Sequence, residues 1–237
     1  MGGVGGMLAG IMLILAYGLL TLGYPPQTCC SEEFFRQALR STALLVLFNM
    51  PIPSAWALSI PLFLALYTSL RKTSVRYALL GTVSGVIAVS IASINLFASI
   101  PLKLALAELY SKTADADKKT MIGVAEAISS SSAASLPLFF LFLIIAFLAV
   151  GAAMGRSAAF RNGYGWLSIV LGIILVVSLP LAGLLMFLQL WVPQFFALVI
   201  IPPILWLILV GFKIYRLSNV QVGSAGFEPA ITSAQGS

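Results

Sequence analysis

The sequence predicts an all-α, polytopic transmembrane helix bundle of six spans, with an amphipathic helical loop between spans three and four. Three observations carry this fold class. Apolar residues make up 60% of the 237-residue chain and charged residues only 8%, against roughly 25% in an average soluble domain. The mean hydropathy is +1.07. The apolar residues also fall into long runs of about 20, the length one helix needs to cross a hydrocarbon core. A soluble globule of this size has too much surface to cover with so few polar residues.

The first segment runs from about Val4 to Tyr24 and is stopped by Pro25-Pro26. No Lys or Arg precedes it and no small-x-small cleavage site follows it cleanly, so a retained helix is expected rather than a secretory signal. The first loop carries Cys29, Cys30, Glu32, Glu33, Arg36 and Arg40. Ser31 followed by acids reads as a helix N-terminus, predicting a short interfacial helix over Glu32 to Arg40.

Segment two, about Thr42 to Leu70, contains Pro51, Pro53 and Pro61, and Arg71, Lys72 and Arg76 follow it. Proline removes a donor and kinks a helix, and in lipid the freed carbonyls need new partners. A bend near Asn49 to Pro53 is expected. Segment three, about Tyr77 to Leu102, holds Gly81 and Gly85 four residues apart, with Ser84, Ala88 and Ala92 extending a small-residue pattern. Such residues let membrane helices approach closely.

The longest loop, Lys103 to about Ser132, has apolar residues at helical spacing over Leu104 to Tyr110 and again over Met121 to Ile128. Two amphipathic pieces against the membrane or the bundle mouth are expected, followed by a polar break at Ser129 to Ser132. Segment four, about Ala134 to Met154, ends in a second spaced pair, Gly151 and Gly155. Segment five, about Trp166 to Leu190, contains Pro180, and segment six, about Phe195 to Tyr215, contains Pro202-Pro203. Trp166, Trp191 and Tyr215 sit at segment ends, as an aromatic belt predicts. The transmembrane domain is thus placed at residues 1–217. Residues 218–237 are polar and rich in Gly, Ser and Ala, the composition of a disordered tail.

Net charge is +6. The basic residues sit at segment ends with no interleaved aromatic stripe, which argues against nucleic acid. With a cytoplasmic N-terminus, the inner loops hold Arg71, Lys72, Arg76, Arg156, Arg161, Lys213 and Arg216, and the outer ones Arg36, Arg40, Lys103, Lys112, Lys118 and Lys119. That is seven against six, but of the four lysines in the long outer loop only Lys103 directly flanks a span. Charges near span ends carry the positive-inside signal, so a multi-pass cell-membrane protein with both termini cytoplasmic is expected.

Catalytic signals are sparse. The chain has no His, which removes the commonest general base and neutral metal ligand and every Ser-His or Cys-His scheme. No metal site and no cofactor fingerprint is found, and no ionisable residue falls in mid-span. Glu108 and Glu126 come closest and read as solvated loop charges. Adjacent Cys29 and Cys30 form a redox pair only through a strained ring. Polar residues within spans, among them Asn49, Ser59, Ser93, Asn95 and Ser178, are expected to bridge helices. The sharper reading of the bend is a small-ligand pocket beside it, with Asn49, Pro51, Pro53 and Asn95 as its candidates. Interior prolines in segments two and five would correspond in a three-plus-three repeat, a weak pointer to transport.

Several stretches carry a resemblance: Glu108-Leu109-Tyr110, Ala114 to Lys119, Ala125-Glu126-Ala127, Leu148 to Met154, Phe160-Arg161 with Gly165 to Gly172, Leu205-Trp206-Leu207 and Tyr215-Arg216-Leu217. Over roughly Leu44 to Leu217 they resemble a prokaryotic six-span integral membrane protein family classed as a domain of unknown function. The resemblance implies a compact six-helix bundle with a helical loop between spans three and four and no catalytic residues. The expected function is non-enzymatic: binding a lipid, a small apolar ligand, or a membrane partner that includes a second copy of the chain. A small transporter or channel-like protein is the alternative.

Overall fold

A computed structural model describes residues 2–23, 46, 50–113, 117–133, 135–160, 163–187 and 193–225, and among them every regular element is helical. The helices are α1 (Gly2–Gly23), α2 (Pro51–Leu58), α3 (Ile60–Leu70), α4 (Val75–Lys112), α5 (Lys118–Ala133), α6 (Leu136–Arg156), α7 (Tyr164–Phe187) and α8 (Pro193–Ala225). Five stretches are long and apolar enough to cross a membrane: Pro51–Leu70, Val75–Lys112, Leu136–Arg156, Tyr164–Leu181 and Ile200–Asn219. In α1 the apolar stretch Gly2–Gly18 is shorter than these.

The helices close into a ring. α1 lies between α8 and the α2–α3 pair; α4 packs on α2 and α3; α6 follows α4, α7 follows α6, and α7 returns to α8. At the centre, the buried rings of Phe63 from α3, Phe147 from α6 and Trp206 from α8 meet. Phe147 stands edge-on to Trp206 with centroids 4.8 Å apart, and Phe63 lies tilted at 6.2 Å. Such pairs add about 0.5–1.5 kcal/mol beyond the area they bury. The Trp206 indole N–H donates to Ser168 Oγ at 2.6 Å, and Ser168 donates to the Tyr164 carbonyl at 2.9 Å, tying α8 to α7.

Four features differ from the sequence expectation. Pro51 and Pro53 stand in the first turn of α2, which has no intrahelical use for an amide donor; the bend expected from Asn49 begins outside the described residues. An unexpected interruption comes at buried Ser59, where Pro61 cannot donate to the Ala57 carbonyl. Ser59 closes the gap locally: its N–H meets the Trp56 and Ala57 carbonyls and its hydroxyl donates to Trp56 O at 2.6 Å. Second, Leu104 to Tyr110 is no separate loop helix. It continues α4 through Pro101, because one lost backbone bond is outweighed by the strong helix formers of 102–112. Third, α5 runs through Ser129 to Ser132 without the expected break. Fourth, α8 continues to Ala225, so the tail expected from 218 is helical at its start. The helix expected over Glu32 to Arg40 lies outside the described residues.

With 38 residues, α4 is about 57 Å long, nearly twice a hydrocarbon core of about 30 Å. Its last turns therefore reach past the membrane, where Leu106, Ala107 and Tyr110 pack against Ala125 of α5 and Lys118 lies over the Tyr110 ring at 5.5 Å.

Candidate functional site at the cationic end of the bundle

Near the expected bend, the described pocket candidates make helix-bridging contacts. Pro53 is buried, and its carbonyl accepts from Ser93 Oγ of α4 at 3.1 Å. Asn95 donates its side-chain amide to the Ser135 hydroxyl ahead of α6. Pro51 is half-buried at the head of α2. Asn49, Cys29 and Cys30 lie outside the described residues. Pro180, the expected counterpart of Pro51 and Pro53, faces outward.

The spaced glycines are contact points between helices, though with different partners. A Cβ placed on Gly81 would lie 2.6 Å from Val150 Cγ2 and 2.9 Å from the Val150 nitrogen of α6. One on Gly85 would run into the Phe63 ring of α3. Gly151 faces Ile169 and Gly165 of α7, whereas Gly155 offers only its backbone: Gly165 packs on it, but a Cβ on Gly155 would meet open space.

The glycine contacts also fix which helix ends lie together. Gly3 meets Gly211 and Tyr215, and Gly10 meets Ile204 and Ile208, so α1 and α8 run antiparallel. Gly2 meets Pro61 and Ala65 of α3. One end of the bundle therefore collects the start of α1, the turn between α3 and α4, the connection from α6 to α7, and residues 211–217 of α8. Here stand Arg71, Lys72, Arg76, Arg156, Lys213 and Arg216. Among the described residues this end has no carboxylate. Three of these six cations rest on aromatic faces: Arg156 over Tyr77 at 4.7 Å, Lys213 over Tyr164 at 6.0 Å and Arg216 over Phe212 at 5.7 Å. A ring quadrupole holds a cation in place, worth about 0.5–1 kcal/mol when exposed, without cancelling its charge.

The described carboxylates, Glu108, Asp117 and Glu126, lie at the far end of α4 and on or next to α5. There Glu108 pairs with Lys112 at 2.6 Å, both exposed. The Lys112 hydrogen bond, and then its charge, hold the Glu108 carboxyl below its usual value. No group of three or more Cys, Asp or Glu side chains gathers at metal-binding spacing among the described residues.

At the cationic end a groove with a cavity volume of about 480 Å³ opens between the start of α4 and the end of α6, lined by Ser74, Val75, Arg76, Tyr77, Leu80 and Arg156. Volumes of 300–1,000 Å³ are typical of small-molecule sites. Ser74 precedes the first turn of α4 and makes no side-chain cap to it. The groove thus combines two guanidinium groups, a hydroxyl and the N-terminal turn of a helix, all favourable to an anion.

The chain matches no family model, no curated protein and no solved structure.

Sequence reasoning missed this end because it compared basic residues alone. The signal was in the acids: Glu32, Glu33, Glu108, Asp115, Asp117 and Glu126 all fall in the first and third connections, and only Glu228 lies near the C-terminus. The spacing of Gly2, Gly6 and Gly10 was likewise a packing signal for α1. Burial of Ser168 against Trp206 left no such mark.

Proposed function

We propose that this protein is a six-span, non-enzymatic integral membrane protein, with both termini in the cytoplasm, that binds membrane lipid at the cationic end of its bundle. The sixth span is α1. Its 22 residues extend about 33 Å, enough for a hydrocarbon core, and it packs on α8 on one side and on α2–α3 on the other. Cytoplasmic placement rests on Arg71, Lys72, Arg76, Arg156, Lys213 and Arg216, which lie in the turn between α3 and α4 or towards helix ends on the same side of the bundle. The single observation behind lipid binding is the gathering of cations, three of them on aromatic rings, away from carboxylates. Each basic residue near an anionic leaflet gains about 1 kcal/mol. The resemblance to a six-span family of unknown function belongs to the same proposal and rests on residue pattern alone.

The test is lipid retention. After purification in mild detergent, lipid carried with the protein should be enriched in anionic species over the membrane it came from. Retained lipid of bulk composition would overturn the lipid reading and favour a membrane-protein partner.

A further inference from the structure

We propose that the groove between the start of α4 and the end of α6 seats the phosphate of an anionic phospholipid, between Arg76 and Arg156, with the acyl chains running down α4. The proposal rests on the membrane-spanning reading above and adds to it a place and a ligand chemistry.

Charge comes first. Arg76 and Arg156 line the same cavity from two helices, and among the described residues neither meets a carboxylate. Arg156 lies over the Tyr77 ring at 4.7 Å, a contact that favours one placement of its planar fork. A planar guanidinium suits phosphate oxygens, since it donates in pairs. The uncapped first turn of α4 adds backbone N–H groups and the positive end of a helix dipole on the same wall.

The apolar surface below the groove selects a lipid over free phosphate. Arg76, Leu80 and Val83 follow one another at four- and three-residue spacing on one face of α4. Leu80 is 51% exposed and Val83 47% exposed, and Leu79 beside them is 49% exposed. An exposed apolar stripe that begins at a two-arginine groove matches an amphiphile with an anionic head. A free anion would leave that stripe unused.

The experiment compares melting temperatures of the full chain in nanodiscs of phosphatidylcholine and of phosphatidylcholine mixed with phosphatidylglycerol. Wild type should melt higher with phosphatidylglycerol. Diffuse attraction spread over the seven basic residues of this end, Arg161 included by its sequence position, predicts that an Arg76→Gln/Arg156→Gln variant loses about two-sevenths of that rise. A seated headgroup predicts loss of more than half, measured as the difference from the same variant in pure phosphatidylcholine, where melting should fall only slightly through the lost Arg156–Tyr77 contact. The control, Lys213→Gln/Arg216→Gln, should keep most of the rise. If the arginine variant does not fold, Val75→Glu puts a carboxylate at the groove while keeping both arginines, and it should abolish the rise. Equal losses in groove and control variants, or a full rise without both arginines, would overturn the proposal. So would inorganic phosphate reproducing the rise in phosphatidylcholine discs, which would assign the site to a soluble anion. Absence of any rise in wild type would also overturn it, and would leave the membrane topology to be judged separately by labelling.

Discussion

The two ends of the bundle are held together differently. At the cationic end, backbones touch through glycine: Gly3 on Gly211, Gly81 on Val150, Gly151 on Gly165. At the other, side chains bridge: Ser93 to the Pro53 carbonyl and Asn95 to Ser135, while Glu108 pairs with Lys112 along α4 itself. Their charges differ in the same way. Among the described residues the first end carries cations alone, whereas the second mixes both signs. At the first end the buried hydroxyls Thr82 and Ser168 still join helices, but the cations Arg76 and Arg156 meet no carboxylate among the described residues and keep their charge for something outside the protein.

Substitutions at the glycine contacts should break this contrast most severely. Gly211→Leu would drive a side chain into the backbone of α1, since even a Cβ there would lie 2.8 Å from the Gly3 carbonyl and from the Met7 nitrogen. Backbone cannot rotate away, so a loss of about 3 kcal/mol or more is expected, seen as aggregation in size-exclusion chromatography. Gly155→Ala is its counterpart. A Cβ there meets open space, so the melting temperature should hold or rise slightly, by the helix propensity gained over glycine.

Next in size is Ser168→Ala, which leaves the buried Trp206 indole N–H without its acceptor. A loss of about 1–2 kcal/mol is expected, and Trp206 fluorescence should shift. Ser93→Ala at the opposite end should cost less, about 0.6–1 kcal/mol, because the Pro53 carbonyl it abandons has a second lone pair for a backbone partner within α2. If Ser93→Ala matched Gly211→Leu, the two ends would not differ in the way described.

The smallest effect is expected at Glu108. Its carboxyl is held below its usual 4.5 in the folded protein, so the pair with Lys112 contributes stability above the usual carboxylate range. That contribution is lost as pH falls through the depressed folded value. Both partners are exposed, so Glu108→Gln should change the melting temperature little at neutral pH, and the difference should vanish in acid.

Much of the fold was legible because hydropathy and span length act locally. Five of the expected segments correspond to helices long and apolar enough to cross a membrane. Proline was the main source of error. Its effect depends on where it sits in a helix, and the sequence does not mark that. Pro51 starts α2, Pro61 interrupts at Ser59 and Pro101 leaves α4 intact. Gly81, Gly85 and Gly151 were found as packing residues, since small residues four apart have few other uses in a membrane helix. The groove was not found. Ser74, Arg76 and Arg156 are 82 residues apart at the extremes in sequence, and only the antiparallel packing of α4 on α6 brings them to one place.

The most direct test of the contrast between ends is labelling of single cysteines from outside the cell, in a background lacking Cys29 and Cys30. Thr73→Cys, in the turn between α3 and α4, should resist a membrane-impermeant maleimide until the cells are opened. Ser111→Cys, at the far end of α4, should label in intact cells. Labelling of Thr73→Cys from outside, with Ser111→Cys protected, would place the cationic end away from the anionic cytoplasmic leaflet and contradict the account.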